Sequence, residues 1–84
     1  MDNKELNESA GRRIFRIYEN IKKLRISRGM PVKTFAKMIG VSENKLILAE
    51  ACVDTDCLDL GNVARLCDCF SMTIDDLASE DFMK

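Results

Sequence analysis

From Ile14 to Leu77 the apolar residues recur at intervals of three and four, and nowhere do they alternate over a strand-length stretch. A chain with this pattern can bury its apolar side chains only as helices. Ile14, Ile17, Tyr18, Ile21 and Leu24 make the first such stripe, and Gly29 supplies its stop. Pro31 is a good first-turn residue for a second helix, with Val32, Phe35, Ala36 and Ile39 at helical offsets and Gly40 at its end. Ser42 reads as the N-cap of a third, short helix that turns Leu46 and Ala49 inward.

After a polar loop at Val53-Asp54-Thr55-Asp56, Asp59 is placed to cap a fourth helix with Leu60, Val63, Cys67 and Phe70 on one side. Thr73, followed three residues later by Asp76, opens a final short helix that puts Ile74 and Leu77 inside. The expected fold is therefore all-α, with five helices in one domain over residues 13–79. Residues 1–12 read as a flexible polar tail, and 80–84 as a C-terminal tail.

Length and composition narrow the function. Eighty-four residues support one small domain. The longest purely apolar run, Leu46-Ile47-Leu48-Ala49, is far short of the roughly 20 residues that span a bilayer. No apolar stretch follows Met1-Asp2-Asn3-Lys4-Glu5 as it would in a secretory signal, so the expected compartment is the cytoplasm. The chain contains no histidine, which removes the imidazole acid, base and metal-ligand roles, and an enzyme is not expected. Cys52, Cys57, Cys67 and Cys69 have spacings unlike those of zinc knuckles. They read as small buried hydrophobes plus a surface thiol, with neither metal nor cofactor expected.

Charge carries more information than its total. The formal net charge is −1, yet residues 11–48 hold ten basic and two acidic residues, while 49–84 hold two basic and nine acidic ones. A basic half can face a polyanion while the acidic half points away. The alternative is that the two halves pair with each other.

The second and third helices are joined by Gly40-Val41-Ser42, the short glycine-containing turn of a helix-turn-helix. Together with Ile21-Lys22-Lys23-Leu24-Arg25-Ile26-Ser27-Arg28-Gly29-Met30, Phe35-Ala36, Ile39-Gly40-Val41-Ser42, Leu46, Glu50, and then Leu66-Cys67, Phe70, Thr73 and Leu77, this order resembles the Cro/lambda-repressor (XRE-type) helix-turn-helix family over about residues 15–79. The resemblance implies a lambda-repressor-like DNA-binding domain and a repressor-like regulator of transcription. Its third helix, about 42–50, would lie in the major groove of double-stranded DNA.

Carried onto this chain, the resemblance implies base contacts from Ser42, Glu43, Asn44, Lys45 and Leu48, and backbone contacts from Lys22, Lys23, Lys33 and Lys37. Asn44 suits adenine, Lys45 guanine or a phosphate, and Glu43 cytosine. The resemblance also implies a structural ion pair between Arg25 and Glu50, and a homodimer, for which Leu77, Phe82 and Met83 are the candidate surface. Three features depart from the family pattern: Val32 where glutamine is frequent, apolar Ile47 and Leu48 on the third helix, and a longer loop bearing Asp54 and Asp56. The other reading is a module that keeps the fold, has weakened or lost DNA binding, and grips a protein partner through Ile47 and Leu48.

Overall fold

In the computed structural model of the chain, which describes residues 3–54 and 56–82 with side chains from Arg12 onward, no strand occurs among the described residues. The helices are α1 (Asn3–Ser27), α2 (Val32–Ile39), α3 (Glu43–Glu50), α4 (Leu60–Phe70) and α5 (Ile74–Leu77). Each contributes a fully buried side chain to a single core: Ile21, Phe35, Leu46, Leu66 and Leu77 in chain order. Burying a residue of this size contributes about 1.5–3 kcal/mol, so the shared core is what holds helices this short.

Helix α1 is the spine. Its middle, from Arg13 to Asn20, meets α5 and the residues that follow it, and its C-terminal end packs against α3. It begins at Asn3, so residues 3–12, expected as a flexible tail, continue the helix instead. The physical reason is local: Glu5, Leu6, Glu8 and Ala10 favour helix, and acids in early turns complement the helix dipole. At the other end Gly29, at φ 64°, lets the Met30 N–H turn back onto the Arg25 carbonyl at 3.1 Å. Gly40, at φ 77°, ends α2 in the same way, with Val41 N–H donating to the Ala36 carbonyl at 3.0 Å. Pro31 stands one residue before α2, extended at ψ 152°, rather than inside its first turn.

Three helix starts are capped by side chains. Ser42 Oγ accepts from Lys45 N–H at 3.2 Å. Asp59 and Asn62 exchange reciprocal bonds at 2.8 and 3.1 Å, and Thr73 and Asp76 do so at 3.0 Å each. Asn62 does more, because its Nδ2 also donates to the Ile39 carbonyl at 3.2 Å and so ties the end of α2 to α4.

The loop before α4 departs from expectation. Leu60, expected inside, is 72% exposed, while Cys57 and Leu58 are buried in its place. Tyr18 fixes that arrangement: its hydroxyl accepts from Leu58 N–H at 3.2 Å and lies 3.3 Å from the Leu58 carbonyl as donor. Leu58 closes the core at this end, and Leu60 in the first turn of α4 is left at the rim.

Asn20 is buried and donates to the carbonyls of Leu77 at 2.7 Å and Ser79 at 3.0 Å, which anchors α5 to α1. Leu77 is therefore core and unavailable as a dimer surface. In the C-terminal tail, Glu80 pairs with Arg16 and Phe82 packs against the core. Met1, Asp2, Thr55, Met83 and Lys84, on which other expectations fell, lie outside the described residues. Among the described residues no helix is long and apolar enough to cross a membrane.

Candidate nucleic-acid interface

At about 100° per residue, the inward turn of Leu46 and Ala49 dictates what α3 presents on its other side. Asn44 lies along the middle of that side, with Ile47 on the flank nearer Glu50, Leu48 equally far round on the other flank, and Lys45 on the shoulder beyond Leu48. All four are exposed, as are Ser42 and Glu43. Ile47 and Leu48 keep 50% and 44% of their surface open, so neither packs under the following loop. The Ser42 hydroxyl oxygen is engaged as the cap acceptor, which leaves its proton to donate outward.

Helix α3 is held rigidly from below. Arg25 Nε and Nη2 donate to the two Glu50 carboxylate oxygens at 2.7 and 2.8 Å, a bidentate fork, and Arg25 Nη1 donates to the Met30 carbonyl at 2.9 Å. The two side chains are only 16% and 7% exposed. Hydrogen bonding to Glu50 pushes the Arg25 pKa above its ordinary value against the opposing effect of burial. Behind it, Phe70 stacks on Phe35 at 6.0 Å between ring centres, and the Arg28 guanidinium covers the Phe70 ring at 5.5 Å.

Lys33 in the first turn of α2 and Lys37 in its last turn are exposed. Neither they nor Lys45 form an ion pair among the described residues. The α2 start has no side-chain cap, since Pro31 offers none, so its first N–H groups remain available to an anion beside Lys33. A further cation was not legible from the sequence: Arg65, in the acidic segment, lays its guanidinium against Gly40 in the α2–α3 turn.

Other residues expected at the interface lie elsewhere. Lys22 and Lys23 line a groove with Glu19, Ile26, Glu50, Ala51 and Cys52, at the C-terminal end of α3. At 1.5 Å per residue, that end is about 7.5 Å along the axis from Lys45, and Glu19 and Glu50 share the groove.

The charge halves also meet in part. Arg13 pairs with Asp75 at 3.3 Å and Arg16 with Glu80 at 3.2 Å, both on the α5 side. These exposed pairs are worth at most about 1 kcal/mol each, yet they occupy arginines that a simple count assigns to a polyanion. The remaining cations near α3 are Lys45 on the helix itself, Lys33 and Lys37 on α2 packed against it, Arg65 at the turn between them, and Lys22 and Lys23 at its C-terminal end; Glu43 and the exposed Asp54 and Asp56 of the following loop carry the opposite charge.

Among the described residues no group of three or more Cys, Asp or Glu side chains is placed to hold a metal ion. Cys57 and Cys67 are buried, Cys52 is half-buried and Cys69 is exposed, all as free thiols. Comparison with protein-family models, with curated proteins and with solved structures finds no match to this chain.

Proposed function

We propose that this chain is a repressor-like regulator of transcription, a helix-turn-helix protein that binds double-stranded DNA with α3 in the major groove. One observation carries the reading. A capped, eight-residue helix is locked to the core by Leu46, Ala49 and the Arg25–Glu50 fork, and its whole outward side is uncovered. Lys33, the uncapped N–H groups and Lys37 belong to α2, which packs against α3, and Arg65 reaches the turn between the two helices; these groups suit phosphates. A helix this short reads one half-site, so two copies related by a two-fold axis would bind together. A second reading, a protein-interaction module, draws on the exposed Ile47 and Leu48 and on the carboxylates of Asp54 and Asp56.

The test is fluorescence anisotropy of a labelled mixed-sequence duplex at two salt concentrations. Three to four phosphate contacts at −0.9 each in log–log slope mean that affinity per copy falls about 40- to 150-fold between roughly 50 and 200 mM salt. Lys33→Glu and Lys45→Glu should each weaken binding and flatten that slope. Absence of binding at the lower salt refutes the proposal and leaves the protein-interaction module.

A further inference from the structure

Helix α3 carries a contiguous triplet at i, i+3 and i+4: Asn44, Ile47 and Leu48. Residues at this spacing are neighbours on a helix surface, with Cβ atoms about 5–6 Å apart. All three are exposed, and Asn44 stands on the central line of the outward side with Ile47 and Leu48 flanking it. No arginine lies on α3, and its lysine is displaced to the shoulder opposite Ile47. The middle of the helix therefore offers one amide and two branched apolar side chains.

We infer that this side of α3 is selective for A·T base pairs, with Asn44 on adenine and Leu48 and Ile47 on the 5-methyl groups of nearby thymines. The inference rests on the DNA-binding reading above and names the sequence class that reading would select. The chemistry follows from what each base shows in the major groove. Adenine presents an adjacent acceptor and donor, N7 and N6, which match the two ends of an Asn amide. Thymine is the base that adds an apolar group there, its C5 methyl, and a branched aliphatic side chain can desolvate it.

A G·C pair offers no apolar partner to Leu48 or Ile47, and cytosine's amino group would lose water against them with nothing accepting its proton. The helical-turn spacing of Asn44 and Leu48 also suits base pairs one or two steps apart, since base pairs rise about 3.4 Å. The lysines on α2 and the Lys45 shoulder supply the charge complementarity that favours DNA over an apolar protein surface as the occupant. Ile47 and Leu48, departures from the family pattern, thereby become reading residues.

The experiment selects duplexes from a random pool with the full chain, then replaces thymines in the preferred duplex by deoxyuridine, which deletes the methyl and keeps base pairing. The selected pool should be enriched in A·T at the positions facing α3. Each critical replacement should weaken binding about fourfold, the effect of losing one buried methyl-sized group. Leu48→Ala should remove most of that difference while leaving the salt slope unchanged. Salt-dependent binding with no A·T enrichment, or with no effect of deoxyuridine, overturns this inference and leaves the DNA-binding reading standing. No binding to any duplex at low salt overturns both.

Discussion

Removing Arg25 tests the anchoring of α3 most sharply. In Arg25→Ala the Glu50 carboxylate, only 7% exposed, loses two short charge-assisted hydrogen bonds, and the Met30 carbonyl loses its 2.9 Å donor. Leaving one charge of such a pair alone costs about 3–5 kcal/mol. The total stability of a domain of this length is about 4–13 kcal/mol, so the variant sits near the edge of folding. Glu50→Ala should cost less, about 2–3 kcal/mol, because the remaining guanidinium keeps the Met30 carbonyl and reaches water more readily.

The double variant should fall short of the sum by about 1–3 kcal/mol. Urea unfolding followed by far-UV circular dichroism at neutral pH reads all three, with an unchanged m-value as the check on two-state behaviour. In heat, a loss of about 3 kcal/mol lowers Tm by roughly 12–24 °C. Single variants within about 1 kcal/mol of the parent, or effects additive within about 0.5 kcal/mol, would refute the pairing as the anchor of α3.

Other perturbations probe the rest of the frame. Asn20→Leu leaves the carbonyls of Leu77 and Ser79 without their donor and should cost about 2–4 kcal/mol, with hydrogen exchange of α5 accelerating first; unchanged protection would contradict the clamp. Gly40→Ala places a side chain at φ 77°, with its Cβ 3.2 Å from Arg65 Nη1, and should destabilise by about 1–2 kcal/mol; a rise in Tm would show that the turn is not so constrained.

Burial raises the pKa of Tyr18, Cys52 and Cys67, so their contribution is intact below the ordinary values and is lost as pH rises through the folded ones. Tm should therefore fall above about pH 8.5–10. Tyr18→Phe should lessen that decline, and a Tm flat across the range would argue against it. At the acid end, the Thr73 N–H and hydroxyl hold the Asp76 pKa below its ordinary value, so its contribution is lost as pH falls through the folded one. Asp76→Asn should remove that acid dependence in a pH–Tm series.

What could be read from the sequence was what is encoded locally. Ser42, Asp59 and Thr73 cap helices within three residues of themselves, and Gly29 and Gly40 take up left-handed backbone where the apolar stripes stop. Arg25 and Glu50 were found through resemblance, because nothing in their 25-residue separation signals a contact. The extension of α1 to Asn3 has no cap or apolar stripe to mark it in the sequence.

Leu58 and Leu60 are equivalent by composition, and only the Tyr18 hydroxyl, 40 residues away, decides which one is buried. Asn20 looks like any polar residue on a helix until α5 brings two carbonyls to it. Charge segregation was visible, but its consequence was divided: Arg13 and Arg16 turn toward the acidic end, while Lys33, Lys37 and Lys45 remain free of ion pairs among the described residues. Arg65 joins these lysines from the acidic half because α4 packs on α2.

The central claim, that α3 and the start of α2 form the DNA-facing surface, is tested most directly by titrating isotopically labelled protein with a mixed-sequence duplex and following backbone amide resonances. The account predicts shifts concentrated over residues 32–34 and 42–48 and at Arg65, with α5 and the N-terminal half of α1 unmoved. Shifts centred on α5 or on the Arg13–Arg16 region, or none at low salt, would contradict it.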